Sequence, residues 1–154
     1  MRSTRCARLC LICFLAWPPA NALAAAFQFD DLQKIVTLGD PQISPDGKEI
    51  ALTVSTPDWK TDKAKVEIDL VEVASGARRT LIFKRESLSS PRWSPDGSHL
   101  AFLAKDPKTK ETQIFVMRAD GGDALRVTDN KQGVDDYSWS PDGKSFAFVA
   151  QDEP

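Results

Sequence analysis

The tetrapeptide Ser-Pro-Asp-Gly occurs three times at wide and nearly even spacing, and this repetition constrains the fold more than any other feature. The copies occupy residues 44–47, 94–97 and 140–143, and the motif serines stand 50 and 46 residues apart. Trp93 and Trp139 precede two of the copies, with Ile43 in the same place before the first. A period of roughly 40 to 50 residues fits propeller blades rather than helical solenoids.

The tetrapeptide is a turn. Serine suits its first position, proline carries the φ required at the second, and glycine accepts the positive φ that follows. After each copy comes a short apolar run, at residues 50–54, 100–104 and 146–150. Runs of about five residues rich in branched and aromatic types are too short for helices and read as strands buried on both faces.

Three arginines, Arg2, Arg5 and Arg8, precede the apolar run 9–17, which is followed by Pro18-Pro19 and Ala22-Leu23-Ala24. This is the pattern of a secretory signal peptide over residues 1–24, cleaved after Ala24. Nine apolar residues fall short of the roughly 20 that a membrane-spanning helix needs, so no stable anchor is expected. Cys6, Cys10 and Cys13 all lie inside this leader. The remaining chain therefore has no thiol for a disulfide or a thiolate metal site. Loss of three arginines and no acid leaves 17 basic residues against 22 acidic. That balance argues against nucleic-acid binding, and the expected location is periplasmic or secreted.

Residues 25–40 read as a helical arm. Leu32, Ile35, Val36 and Leu38 have helical spacing, Asp30 with Gln33 suggests a capping box, and Gly39 with Pro41 suggests a stop. Blade 1 is placed at 41–90, blade 2 at 91–136 and an incomplete blade 3 at 137–154. In blade 1 the polar segment 55–65 reads as a loop, and 66–73, alternating apolar with acidic, reads as a strand with one wet face. Blade 2 repeats this order, with its loop five residues shorter. The predicted fold is all-β: about two and a half four-stranded blades of a propeller that typically has four to eight. A half-built blade exposes a strand edge and apolar surface, so self-association or a protein partner is expected.

On the three motif copies, on the segment 113–117 with the turn 120–123 and the strand 124–128, and on the arm running into the first turn, the chain resembles the propeller of the prolyl oligopeptidase family of serine peptidases, in its acylaminoacyl-peptidase and dipeptidyl-aminopeptidase branches. Similar turns occur in TolB-like periplasmic propellers. The resemblance implies a propeller ahead of an α/β-hydrolase domain that hydrolyses short peptides.

No catalytic residue is assigned within these 154 residues. The sequence contains no Gly-x-Ser-x-Gly elbow, and its one histidine, His99, occupies a repeat position held by Glu49 and Ser145 in the other copies. It reads as a solvent-facing strand residue rather than a base for a Ser-His-Asp triad. The motif serines read as turn residues. The acidic segment 129–136 lacks the alternating ligands and final glutamate of a calcium loop, so neither metal nor cofactor is expected. Arg78-Arg79 and Lys84-Arg85 read as wet strand ends, and Trp93 and Trp139 as blade-packing residues. The expected function is the propeller portion of an exported peptidase, inert alone and gating peptide access to a missing hydrolase domain. The alternative is a non-enzymatic propeller that binds a protein partner.

Overall fold

The computed structural model of the chain describes residues 28–83 and 85–152. The leader expected over residues 1–24 lies outside them, as do Lys84 and the last two residues. Within the described residues one helical turn, Phe29–Lys34, precedes strands that all pair antiparallel. The first sheet is the meander β1 (Thr37–Ile43), β2 (Glu49–Asp58), β3 (Lys63–Glu72) and β4 (Arg78–Ile82). The second is β5 (Ser89–Trp93), β6 (His99–Lys105), β7 (Thr112–Arg118) and β8 (Leu125–Arg126). A hairpin of β9 (Asp136–Trp139) and β10 (Phe146–Val149) follows. These are two blades and the first half of a third, so the all-β partial propeller predicted from the repeat is the fold observed.

The second blade buries both of its faces against its neighbours, and β6 shows why its sequence is apolar without interruption. Leu100, Phe102 and Ala104 face Ile68 and Leu70 of the first blade, and Phe102 stacks on Phe115 with ring centroids 5.8 Å apart. Ala101 and Leu103 point the other way, into a second core with Tyr137, Trp139 and Phe146. Complete burial of a side chain such as Leu100 or Phe102 contributes about 1.5 to 3 kcal/mol. The run of β6 is covered on both sides; the matching run in the third blade is not, as its half-built state leads one to expect. Phe148 is 45% and Val149 61% exposed, because among the described residues no strand pairs with the free edge of β10 and no blade covers its outer face.

Three local expectations are corrected. The helix is a 3-10 turn that ends at Lys34, capped by Gln28 and Asp31 rather than Asp30, with the Gln28 N–H donating to Asp31 Oδ2 at 2.9 Å. Thr37 and Leu38 pair with Ser55 and Val54 of β2, and this ladder outcompetes the helical spacing. Gly39 does not stop a helix; it sits at a bulge in β1, where a Cβ would come within 2.9 Å of Thr53 Oγ1. The loop expected over 55–65 is mostly strand, since β2 and β3 stay in register to Asp58↔Lys63 and leave a four-residue turn. That turn closes through Asp58, whose Oδ1 accepts the Lys60 N–H at 3.0 Å, and through Asp62 at φ 53°. Finally, the alternation in β3 does not give it a wet face. Asp69 is fully buried, with Arg78 Nε 2.5 Å from its Oδ2 and no aligned hydrogen bond to either oxygen.

Candidate functional site

The three motif turns fold alike because the same few atoms are satisfied in each. In the second copy Ser94 Oγ accepts the His99 N–H at 3.0 Å and donates to Asp96 Oδ1 at 2.5 Å. The same carboxylate oxygen takes the Ser98 N–H at 3.1 Å, and Gly97, at φ 71°, returns its N–H to the Ser94 carbonyl. Ser44 with Asp46 and Ser140 with Asp142 repeat these bonds at 2.7 and 2.6 Å. Each aspartate is held below the usual carboxylate range, first by the serine hydroxyl and then by further donors, and Asp96 falls to about 2. Hydrogen bonds to the charged form of an acid stabilise that form.

Consecutive turns stack across blade boundaries. A Cβ on Gly97 would meet the ring of Pro45 at 3.4 Å, and one on Gly143 would meet Pro95 at the same distance. The tryptophans carry this contact inward. Trp93 Nε1 donates to the Gln42 carbonyl at 3.0 Å, and Trp139 Nε1 to the Arg92 carbonyl at 3.2 Å. Tyr137 adds a third link, its hydroxyl donating to the Ser90 carbonyl at 2.7 Å. The blade-packing role expected of the tryptophans is thus accompanied by indole bonds that tie each first strand to the one before it. Ile43, in the tryptophan position of blade 1, has no preceding blade among the described residues and is 63% exposed.

The residues that could suggest catalysis are brought together in the second turn, in the wrong order for it. His99, half-buried rather than fully solvent-facing, has Nδ1 2.7 Å from Ser98 Oγ, and that hydroxyl donates to Asp96 Oδ2 at 2.7 Å. A triad places imidazole between hydroxyl and carboxylate, so that the ring can take the serine proton. Here the hydroxyl lies in the middle, its proton on the carboxylate side, and Nδ1–H must donate to Oγ. Ser94 is equally committed to the turn. Among the described residues no three metal-binding side chains converge. Asp129, in the acidic segment, pairs with Arg126 Nη1 at 3.0 Å, and the same nitrogen lies 3.4 Å from Asp106. The adjoining backbone is fixed by buried Gln113, which accepts from Thr128 Oγ1 at 2.7 Å and donates to the Asn130 carbonyl at 2.6 Å.

Arg78 and Arg79, read as wet strand ends, are exposed at the start of β4 and are also engaged. Arg79 Nη2 donates to the Ala119 carbonyl of the second blade at 2.8 Å and pairs with Glu49 at 3.3 Å. Arg85 lies 4.5 Å over the Phe115 ring. At the end of the blades away from the motif turns, Arg85 helps line a groove of about 450 Å³ between blades 1 and 2. Lys63 and Lys65 of β3 and Lys105 of β6 lie along it, with Asp58 and Glu86. Sequence reasoning passed over this cluster because its cations are spread over 42 positions; the longer first hairpin and the basic strand ends were its only trace.

Similarity to known proteins agrees with this geometry. The chain is 36% identical over 105 residues to the uncharacterized peptidase YuxL of Bacillus subtilis, an overlap covering 68% of this chain and 16% of that protein. It therefore spans about a sixth of that relative's length. Acylaminoacyl peptidase of Pyrococcus horikoshii superposes with a TM-score of 0.64 at 25% identity, over 77% of this chain and 18% of that one. TolB of Acinetobacter baumannii superposes with a TM-score of 0.58 at 26% identity, over 74% and 27%. No helix among the described residues is long and apolar enough to cross a membrane. Residues 30–153 match the family described as the TolB beta propeller domain (PD40), and with its stacked Ser-Pro-Asp-Gly turns and antiparallel blades the chain belongs to that family.

Proposed function

We propose that this chain is the N-terminal propeller portion of an exported serine peptidase, and that it orients peptide substrates for a hydrolase domain encoded beyond residue 154. The observation that carries the reading is the 36% identity to a peptidase of which the chain covers only 16%. The turn chemistry agrees with it, since every motif serine hydroxyl is bonded to its own aspartate and is a poor nucleophile. A nucleophilic serine needs a base on its proton, not a carboxylate held within the turn. The leader pattern of residues 1–24 supports export.

The test has two parts. A serine-directed fluorophosphonate should leave the 154-residue chain unlabelled and label the product of the uninterrupted reading frame, in which a Gly-x-Ser-x-Gly elbow should follow further motif turns. Stoichiometric labelling of the chain itself would refute the division of labour. Likeness to TolB favours a second reading, a propeller that binds a protein partner without catalysis. A reading frame that adds blades but no hydrolase would decide for it. Mass spectrometry of the extracytoplasmic protein should find a first residue near Ala25, and recovery of the Met1 chain from a membrane fraction would count against export.

A further inference from the structure

We infer that the groove between blades 1 and 2 is a binding site for the carboxylate of a peptide. The groove, of about 450 Å³, is lined by Lys63, Lys65, Arg85 and Lys105 together with Asp58 and Glu86. Four cations against two carboxylates leave it positive in a chain whose overall formal charge is −2. Lys65 is occupied by Glu67 at 3.2 Å, whereas among the described residues no carboxylate pairs with Lys63, Arg85 or Lys105. Cations gathered in a concave wall raise the local concentration of anions, and the wall itself excludes part of the water that would screen them.

Arg85 is the best-placed member. Its guanidinium rests on the Phe115 face, which holds the planar fork in place at little entropic cost. The segment that follows it is held by the Lys105 N–H donating to the Glu86 carbonyl at 3.0 Å and by buried Leu88. Asp58 and Glu86 decide the ligand class. They place acceptors beside the donors, a combination that suits a peptide, with its backbone N–H groups and one carboxylate, better than a phosphate ion, which has only acceptors to offer. The anion could be an acidic side chain or a C-terminal carboxylate.

The peptide as ligand rests on the peptidase reading above, but the experiment measures binding, so a failure here leaves the search for a hydrolase domain untouched. Isothermal titration of the full chain should compare three hexapeptides of otherwise equal sequence. One carries a central Glu and an amidated end, one a central Gln and a free end, and one a central Gln and an amidated end. At least one of the first two should bind about tenfold more tightly than the third, and which one does identifies the source of the carboxylate. Raising the salt from about 50 to about 500 mM should weaken that binding. Arg85→Gln and Lys105→Gln should each remove most of the gain, while Lys144→Gln, at the opposite end of the blades, should not. Lys105 is exposed, so its variant stays informative if loss of Arg85 disturbs packing on Phe115. Equal affinity for all three peptides, absence of binding, or a Lys105→Gln protein that binds as the parent does would overturn the assignment.

Discussion

Replacing Ser94 by alanine tests whether the motif turn is a structural clamp. The substitution removes one bond accepted from the His99 N–H and one donated to the Asp96 carboxylate. A neutral hydrogen bond contributes about 0.5 to 1.5 kcal/mol and one to a charged group about 1.5 to 3. Asp96 is exposed and keeps its bonds from Ser98, so it resolvates, and the lower part of the combined range applies, about 2 to 3 kcal/mol. The loss is a sizeable share of a marginal domain's roughly 5 to 15 kcal/mol. At about 4 °C per kcal/mol for a chain of this size, Tm should fall by about 8 to 12 °C. Thermal and urea unfolding followed by tryptophan fluorescence measures it. Ser140→Ala removes the same two bonds at a less buried turn and should cost less, and Ser98→Ala on the exposed side should stay within about 0.5 kcal/mol. The acid limb gives a second readout. Because the pKa of Asp96 is depressed in the folded state, its contribution is present above the unfolded value near 3.8 and is lost as pH falls towards about 2. Stability should therefore drop between pH 4 and pH 2, and less steeply in the Ser94→Ala protein. If Ser94→Ala costs no more than Ser98→Ala, the clamp is not what holds the turn.

Three further perturbations follow from the same structure. Tyr137→Phe strips the Ser90 carbonyl of its donor and should cost about 1 to 2 kcal/mol in urea unfolding, with no loss of apolar burial. Removing the partner of buried Asp69 by Arg78→Ala should cost about 3 kcal/mol, whereas Asp69→Leu, at the blade position filled by Phe115 in the second repeat, should be neutral or stabilising; the reverse order would show that the pair is held for its own energy. Phe148 and Val149 are exposed on a strand edge that no other strand pairs among the described residues, so light scattering should show the purified chain associating, and Phe148→Lys should restore a monomer.

The sequence by itself determined the repeat, the turn chemistry and the strand runs, because these are local: proline and glycine impose backbone angles wherever they stand, and residues 100–104 are apolar on both sides of a strand. It also placed Trp93 and Trp139 between blades. What they bond to was decided only in three dimensions, since the Gln42 and Arg92 carbonyls lie 51 and 47 residues away. The arm went wrong for the same reason: helical spacing from Leu32 to Leu38 is a weak preference, and β2 offered Thr37 and Leu38 a ladder that the spacing could not reveal. Asp69 was misplaced because alternation reports which side of the strand a residue faces, whereas burial depends on what covers that side, here Arg78 from the next strand. The groove of Lys63, Arg85 and Lys105 was invisible along the chain, because only the packing of the second blade against the first brings these distant cations to one wall.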